Sequence, residues 1–445
     1  MTDAQTTATG TRKSYRTGVL LLLTLVYGFN FIDRQIVGIL APFIQADLGL
    51  TNTQLGLLIG LAFAVFYTVM GIPLAYLADR VNRVNLLAVA LAVWSGFTAL
   101  TGLAQNFTHI ALARVGVGIG EAGGSPPSHS MISDFYSKEE RAGALGVYSL
   151  GIPLGIMAAY FFTAALLGAD PNDVDWRRIF IILGVSGIAL AVVVRLVIRE
   201  PKRGAMELGD RAEPPRIPFG QALGRLLSIP TWWWMCLGIA FASFASYALS
   251  GFQTKYLRLL DPAYDFRTIV IVIGVINGVF YVAGTYFGAK LVDRRAKRDV
   301  RAYGTIPVLS LVLALPLAVA AFAVPDVNTH LLISAGLQMC LGVYLGPSFA
   351  IAQTLAPISI RAMSTALFFF ILNMIALGGG PTFAGAMIDV FGSGGATELE
   401  ATRMAMYATF GAYAVAIVFF LLVRVTVRRD WAEAERRNAE AVAGV

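Results

Sequence analysis

The sequence is poor in charge, cysteine and histidine. Only 14% of its 445 residues are Asp, Glu, Lys or Arg, whereas soluble globular domains carry about 25%. So few charges cannot cover the surface of a soluble protein of this length, and a soluble fold is excluded. Two cysteines cannot form a disulfide framework, and the three histidines are scattered. We therefore expect neither a metal site nor a bound cofactor.

Apolar residues are abundant instead. Hydrophobic residues make up 57% of the chain, and the mean hydropathy is +0.70. The 45 glycines and 28 phenylalanines are typical of helices packed in lipid, where small residues let two backbones approach closely. Glycines four residues apart, such as Gly151/Gly155 and Gly284/Gly288, have the spacing that predicts such helix contacts. This composition predicts an integral membrane protein.

The apolar residues fall into stretches long enough to cross a membrane. A bilayer core about 30 Å thick requires roughly 20 apolar residues per helix. We predict twelve membrane spans, at 17–42, 54–77, 84–104, 107–133, 141–167, 177–198, 230–255, 267–290, 303–323, 329–355, 362–388 and 404–425. The predicted fold class is therefore an all-α membrane protein with twelve transmembrane helices.

Lys and Arg predict the orientation, because basic loops stay on the cytoplasmic side. One set of loops, together with both termini, holds 26 of the 34 basic residues, and the opposite loops hold six. We expect a multi-pass protein of the cell (inner) membrane with both termini in the cytoplasm. The same distribution accounts for the net charge of +7 without a nucleic-acid partner.

The two halves of the chain resemble each other. The longest connection, 199–229, separates six predicted spans from six others. Three short matches relate the halves: Ala75–Arg83 to Ala289–Lys297 at a shift of 214 positions, and Pro127-Ser128 to Pro347-Ser348 and Arg141-Ala142 to Arg361-Ala362 at a shift of 220. A duplication predicts six-helix bundles at 17–198 and 230–425, joined by a cytoplasmic linker at 199–229. We expect cytoplasmic tails at 1–16 and 426–445, the second of them an amphipathic helix.

Two duplicated six-helix bundles are the architecture of major facilitator transporters, whose substrate site lies near the membrane midplane between the bundles. Asp79-Arg80-x-x-Arg83 resembles the motif that follows the second helix of that superfamily. The resemblance implies a cytoplasmic gate at this loop and its repeat. We expect the gate and its hinges to involve Asp79, Arg80, Arg83, Asp134, Arg141, Gly151, Pro153, Gly155, Asp293 and Arg294.

A narrower resemblance is to the Spinster family. Asn30-Phe31-Ile32-Asp33-Arg34 is similar to its Asn-Tyr-x-Asp-Arg signature, and Arg114–Ala122 and Ile152–Gly155 also match. Members of this family include exporters of sphingosine-1-phosphate and lysophospholipids. The resemblance implies an amphipathic, anionic lipid as substrate for this chain.

Away from the ends of the predicted spans, four residues are charged: Asp33, Arg34, Arg114 and Glu121. A charge at a helix centre costs about 2.5–3.5 kcal/mol on insertion scales, so these four must be compensated. At 1.5 Å per residue, Asp33 and Arg114 lie at similar depth, which allows an ion pair between them. Asp33 and Arg34 point about 100° apart and cannot both face one partner.

These charges suggest a proton switch. Protonation of Asp33 would release Arg114, or free Arg34, to bind an anionic headgroup, with Glu121 as a second proton or positioning site. Asn30 and Tyr27, on the same span, are further candidate substrate residues. The expected coupling ion is the proton, the expected partners are the substrate and membrane lipids, and we expect a monomer.

Other interpretations remain open from the sequence alone. The four charges could form a static stabilising network, or serve a proton-coupled carrier of small organic anions. A membrane scaffold or receptor needs none of this chemistry, and an intramembrane enzyme would need a nucleophile or metal that is not evident. Away from the ends of its spans, the second half has no charge but is rich in phenylalanine, which favours an amphipathic ligand. These phenylalanines are Phe241, Phe244, Phe280, Phe287, Phe349 and Phe368–Phe370.

Overall fold

The computed structural model describes residues 2–170, 172–203, 219–357 and 360–443. All regular secondary structure in these ranges is helical. Most of the predicted linker, including Pro214 and Pro215, lies outside the described residues. The all-α fold class predicted from the sequence is therefore confirmed.

The helices follow one another with short connections. Those before the linker are α1 Thr2–Ile39, α2 Ala41–Leu48, α3 Asn52–Ile59, α4 Leu61–Ala78, α5 Arg83–Thr101, α6 Phe107–Glu121, α7 Ser125–Phe135, α8 Lys138–Ser149, α9 Gly151–Leu166 and α10 Trp176–Val197. Those after it are α11 Phe219–Leu227, α12 Pro230–Leu260, α13 Phe266–Val275, α14 Val282–Ala296, α15 Ala302–Ala323, α16 Val327–Gly342, α17 Leu345–Leu355, α18 Arg361–Leu372, α19 Gly380–Ser393 and α20 Glu398–Ala443. Two π-helical segments, Ile276–Tyr281 and Asn373–Gly379, join α13 to α14 and α18 to α19.

Eleven stretches of helix within the described residues are long and apolar enough to cross a membrane. The remaining predicted span, 107–133, consists of α6 and α7, which are separated by a turn at 122–124. Gly123 and Gly124 lie in this turn, and prolines occupy the first turn of α7, where a missing N–H costs no helical hydrogen bond. The fourth span is therefore a broken helix.

The internal repeat has a structural counterpart at this break. Ser128 donates its hydroxyl to the carbonyl of Gly124 at 2.8 Å, and Ser348 donates to Tyr344 at 2.7 Å. Both serines are buried, and each lies near the start of the second helix of a broken pair. The same shift of 220 positions relates both the serines and their acceptors, as a duplication requires.

The chain divides into two compact units. The first comprises residues 1–50 and 62–211, and the second comprises 51–61 and 212–445. The sequence places residues 51–61 inside the first bundle, whereas their contacts group them with the second unit. Helix α3 packs closely on α19 through Gly56 and Gly385, and polar side chains also join the two helices.

Glycine packing holds α1 against α9 in the first unit. A Cβ on Gly155 would lie 2.4 Å from the carbonyl oxygen of Gly28, and one on Gly151 would lie 2.8 Å from that of Thr24. The fifth span breaks at Leu150, between α8 and α9, and Pro153 falls in the first turn of α9. The predicted hinge residues thus lie at a helix break that is pressed against α1.

The second unit is built around α12 and α20. The buried indole N–H of Trp232 donates to Ser364 at 2.7 Å, which joins α12 to α18. The predicted glycine contacts also occur here, because a Cβ on Gly284 would lie 1.9 Å from the carbonyl oxygen of Met339. Helices α14 and α16 therefore pack backbone to backbone.

The predicted amphipathic tail is the continuation of α20, and residues 444–445 lie outside the described part of the chain. Trp431 stacks on Tyr303 with ring centroids 5.5 Å apart, and Arg428 pairs with Asp299 at 3.0 Å. The main-chain N–H of Arg301 and the guanidinium of Arg428 hold the pKa of Asp299 below its ordinary value. The end of α20 is thus attached to the turn before α15.

Replacing Gly284 with Ala should destabilise the protein, because the new methyl group would overlap the backbone of α16. Overpacking of this kind costs about 1–3 kcal/mol. Thermal unfolding of the detergent-solubilised protein measures the effect as a lowered midpoint. Gly411→Ala is the matched control, since nothing lies within 4 Å of a Cβ at that position. Equal midpoints for the two variants would contradict the close packing of α14 on α16.

Candidate substrate and proton site

The four charges predicted inside the membrane lie in the first unit. Asp33 and Arg34 are on α1, and Arg114 and Glu121 are on α6. Asp33 and Arg114 are 2% exposed and Glu121 is 1% exposed, while the side chain of Arg34 is 12% exposed. Their formal charges sum to zero, so the four side chains form an electrically neutral cluster between α1 and α6.

Arg34 and Glu121 form an ion pair. The Nε of Arg34 donates to Oε2 of Glu121 at 2.8 Å. Three aromatic rings surround the guanidinium: its carbon lies 5.1 Å from the ring centroid of Phe31, 5.0 Å from Phe63 and 4.4 Å from Tyr67. Ring faces attract a desolvated cation. Arg34 is therefore held in place by neutral aromatic rings as well as by the carboxylate of Glu121.

Asp33 faces a different neighbour from Arg34. The hydroxyl of Thr98, on α5, donates to Oδ1 of Asp33 at 2.7 Å. Arg114 donates to the main-chain carbonyl of Asp33 at 3.4 Å, and its guanidinium carbon lies 5.1 Å from the ring centroid of Phe63. Arg114 therefore lies next to Asp33, as their similar depth along the two helices predicts. The hydrogen bond described between them ends on the main-chain carbonyl of Asp33.

Several buried polar atoms of the first unit have no partner at full hydrogen-bonding geometry among the described residues. They are Oδ1 of Asn30, Oε1 of Glu121, Nε1 of Trp94 and Oγ of Ser95. Unmade hydrogen bonds at buried polar atoms cost about 1–3 kcal/mol each. Two of these atoms, on Asn30 and Glu121, are acceptors that need a donor. A proton on Glu121 would supply one.

Tyr27 is connected to this cluster through aromatic contacts. Its ring stacks on Tyr148 at 4.5 Å between centroids and meets the edge of Phe31 at 5.2 Å. His129 meets the face of Tyr148 at 5.1 Å. Tyr27 therefore lies next to the rings that hold Arg34, one turn along α1 from Asn30 and Phe31.

Sequence reasoning missed Phe63, Tyr67, Thr98 and Trp94. Phe63 and Tyr67 are four residues apart, a spacing that places both on one face of α4. Thr98 is a polar residue in the middle of an apolar span. Neither feature identifies a partner, because aromatic and threonine residues are common in membrane helices. Only the rotation of each helix reveals which of them faces the charges.

The predicted gate residue Arg83 is buried in the first unit and has several partners. Its guanidinium donates to Asp134 at 2.5 Å, to Ser130 at 2.8 Å and to Glu200 at 2.7 Å. The second oxygen of Glu200 accepts the main-chain N–H of Val84 at 3.0 Å. Arg83 thus ties the starts of α5 and the linker to α7.

Asp79 and Arg80, the other two residues of this motif, are exposed. Arg80 lies over the ring of Tyr76, with its guanidinium carbon 3.4 Å from the ring centroid. Arg203 donates to the carbonyls of Ala78, at 2.8 Å, and Asp79. The linker therefore holds the end of α4 through main-chain oxygens, and the side chain of Asp79 points to the surface.

The remaining predicted gate residues are Arg141 in the first unit and Asp293 and Arg294 in the second. Arg141 donates to the carbonyl of Ser133 at 3.0 Å. Asp293 and Arg294 are exposed in the second unit, where Asp293 lines a cleft of about 720 Å³ beside Trp431. Among the described residues no group of three His, Cys, Asp or Glu side chains could hold a metal ion. Gating by these residues stays a prediction.

Removing one partner of the Arg34–Glu121 pair should destabilise the protein more than removing both. Glu121→Leu leaves the Arg34 charge buried, and breaking a buried pair costs about 3–5 kcal/mol. Adding Arg34→Met should restore most of that loss. Thermal unfolding of the two variants and of Asp47→Leu tests this, since Asp47 pairs with Arg177 at the surface. A double variant no more stable than Glu121→Leu would contradict the pairing.

Solved structures include one that is similar over nearly the whole chain. It is described as a bacterial homologue of the human lysosomal transporter Spinster, in an inward-facing and unoccupied conformation. The match has a TM-score of 0.86 and 30% sequence identity, and it covers 94% of this chain and 98% of that one. The resemblance to the Spinster family is thereby confirmed.

Curated relatives point to membrane transport as well. An MFS-type efflux pump of Mycolicibacterium smegmatis is 32% identical over 93% of this chain and 94% of its own length. A probable L-galactonate transporter of Escherichia coli is 28% identical over 55% of each chain. The family model of the Major Facilitator Superfamily matches residues 23–379. With twelve predicted spans, a duplicated helical fold and this match, the chain belongs to the Major Facilitator Superfamily and is a membrane transporter rather than an enzyme.

Proposed function

We propose that this transporter moves an amphipathic anion, of the lysophospholipid or sphingosine-1-phosphate type, by proton-coupled alternating access. It would act in the cell membrane with both termini in the cytoplasm, as the Lys and Arg distribution favours. The proton would be exchanged at Asp33 and Glu121. Arg34 and Arg114 would bind the anionic headgroup, beside Asn30 and Tyr27.

The observation that carries this proposal is the environment of Arg34. Its guanidinium is stacked among Phe31, Phe63 and Tyr67, and Glu121 is its ion-pair partner. The aromatic rings would keep Arg34 in place if Glu121 gave it up. An anionic headgroup could then take the place of the carboxylate without rearranging the cation.

A proton and an anion would therefore be exchanged at one point. Protonation of Glu121 removes its negative charge and gives Oε1, which has no described partner, a hydrogen to donate. Arg34 is then an uncompensated buried cation, which binding of a phosphate or carboxylate neutralises. The cluster changes from net zero to +1 on proton uptake, so the proton and the anion favour each other.

Asp33 would act as the second proton site of the cluster. Its ionised form accepts the Thr98 hydroxyl, while Arg114 donates to its carbonyl. A proton on Asp33 would weaken the attraction of the Arg114 guanidinium to this part of α1. The two carboxylates thus control how much positive charge is free for a substrate.

Aromatic residues of the second unit support an amphipathic substrate. Phe280, Phe287, Phe369 and Phe370 are between 37% and 58% exposed on that unit. Such surface suits either bilayer lipid or the hydrocarbon tail of a ligand. The first unit, by contrast, carries the buried cluster of four charges on α1 and α6. An amphiphile has the two kinds of group that these surfaces could bind.

A proton-coupled carrier of small organic anions is the second candidate. The similarity to a probable L-galactonate transporter over about half of each chain favours it. The same cluster would bind a carboxylate as readily as a phosphate, because Arg pairs with both. A scaffold or receptor would transport neither kind of anion.

Asp33→Asn should strongly reduce the response of transport to a pH gradient, because one of the two proposed carboxylates can no longer exchange a proton. We expect gradient-driven uptake into proteoliposomes to fall at least tenfold, a loss typical of removing a positioned acid–base group. Uptake of a radiolabelled lysophospholipid and of L-galactonate, with and without an imposed pH gradient, measures it. Asp47→Asn is the control, since Asp47 is exposed and pairs with Arg177.

The two substrates separate the candidate functions. Uptake of lysophospholipid alone supports the amphiphile, and uptake of L-galactonate alone supports the organic-anion carrier. Gradient-driven uptake that is unchanged in Asp33→Asn contradicts proton coupling at this residue. Absence of uptake of both compounds by the parent protein supports the scaffold.

Glu121→Gln should mimic the protonated cluster. The amide removes the negative charge beside Arg34, so an anionic ligand should bind about tenfold more tightly at pH 8, within the usual range of coupling between two sites. Its affinity should also change less between pH 6 and pH 8 than that of the parent. Equilibrium binding of the radiolabelled ligand in detergent measures both. Weaker binding at pH 8 would show that Glu121 binds substrate directly instead of competing with it.

A further inference from the structure

The second membrane span is divided between the two units. Helix α3 ends at Ile59, α4 begins at Leu61, and Gly60 between them has φ −108° and ψ −92°, outside helical geometry. Residues 51–61 belong to the second unit, and the chain from 62 onward belongs to the first. The predicted outer end of this span is therefore held by contacts with helices of the second unit, although the rest of the span belongs to the first unit.

Residues at the start of α3 provide hydrogen-bond acceptors for only some of the N–H groups at its N-terminus. Thr51 and Gln54 form a capping box, in which the Thr51 hydroxyl accepts the N–H of Gln54 and the Gln54 amide accepts the N–H of Thr51. Two further N–H groups, of Asn52 and Thr53, have no acceptor within this turn. A helix start carries four such orphan donors and a partial positive charge.

Asp389 of α19 supplies the missing acceptors. Its Oδ1 accepts the N–H of Asn52 at 3.1 Å and the side-chain amide of Asn52 at 2.8 Å. Its Oδ2 accepts the N–H of Thr53 at 2.7 Å and the hydroxyl of Thr53 at 2.6 Å. One carboxylate, 336 residues away along the chain, thus completes the cap of α3.

A buried lysine extends this polar contact. Lys255 of α12, whose side chain is 3% exposed, pairs with Glu398 at 2.7 Å and donates to the amide oxygen of Asn52. Asn52 is therefore bound from two sides, by Asp389 and by Lys255. Three helices of the second unit, α12, α19 and α20, converge on the start of α3.

The helix faces beneath this contact touch through glycine. A Cβ on Gly56 would lie 2.3 Å from the carbonyl oxygen of Pro381, and one on Gly385 would lie 2.1 Å from that of Asn52. Farther along, a Cβ on Gly251 would lie 3.2 Å from Cγ2 of Ile59. The glycines thus bring the backbones of α3 and α19 into direct contact, and the apolar side chain of Ile59 is buried beside Gly251.

We propose that Asp389, together with Asn52, Thr53 and Lys255, is a latch that keeps the outer end of the second span on α19, and that this latch must open for access from the outer side. The inference rests on the alternating access proposed above. Opening would expose two capped N–H groups and a carboxylate to water, which can hydrogen-bond both. Gly60, already outside helical geometry, is the point at which α3 can turn relative to α4.

The latch is tested by the reactivity of a cysteine buried beneath it. Ile59→Cys is introduced after Cys236→Ser and Cys340→Ser remove the native thiols, and Ile59 is 7% exposed. Asp389→Asn should raise the rate of maleimide labelling in detergent about tenfold, the effect of losing a strong helix cap. In detergent the reagent reaches both sides, so the result does not depend on the predicted orientation.

Asp326→Asn is the matched control. Asp326 caps its own helix, α16, through the N–H of Thr329 at 2.8 Å, so this variant removes an aspartate cap without touching α3. Its labelling rate should equal that of the parent. Thr53→Val, which removes only the hydroxyl donor, should raise the rate in the same direction by a smaller factor and replaces Asp389→Asn where that variant does not fold.

Faster labelling in Asp389→Asn or Thr53→Val, but not in Asp326→Asn, supports the latch. Labelling at the parental rate in the latch variants overturns it, and so does an equal increase in Asp326→Asn. No substrate is needed for this measurement. A failed latch is therefore distinguished from a failed assignment of substrate or of proton coupling, which only the transport assays would show.

Discussion

The organisation of the first unit depends on placing ionised side chains where water is scarce. Four charges on α1 and α6 would together cost roughly 10–14 kcal/mol if each stood alone at the centre of a membrane helix. The Arg34–Glu121 pair, at 2.8 Å, removes part of that cost, and the aromatic rings around Arg34 remove more. Thr98 and Arg114 form hydrogen bonds to Asp33 and so link it to the same cluster. The positions of α1, α4, α5 and α6 are all constrained by this cluster.

Such a neutral cluster is not needed for stability, because apolar side chains of similar volume are often as stable as a buried ion pair. Its distinctive property is that its net charge changes by one with each proton. Oδ1 of Asn30 and Oε1 of Glu121 have no donor at full hydrogen-bonding geometry among the described residues. A proton and an anion would complete the hydrogen bonding together, and this links the chemistry to transport.

Much of the fold could be predicted from the sequence, because span length, glycine spacing and internal repetition are properties of the chain alone. The four buried charges were found because an ion in an apolar span is rare. Their partners were not found, since depth along a helix follows from counting residues while side-chain direction depends on how each helix is rotated. Arg34 rather than Arg114 faces Glu121 for this reason. The break between α6 and α7 and the grouping of α3 with the second unit depend on contacts between distant segments, which a linear reading does not contain.

The central claim is that proton and anion binding are coupled at the Arg34–Glu121 pair. Calorimetry of anion binding in two buffers with different ionisation enthalpies counts the protons exchanged directly. A radiochemically pure lysophospholipid or L-galactonate, whichever the parent protein binds, serves as the titrant. The account predicts uptake of about one proton per anion near neutral pH, and much less in Glu121→Gln. Binding that takes up no proton in the parent protein would contradict it.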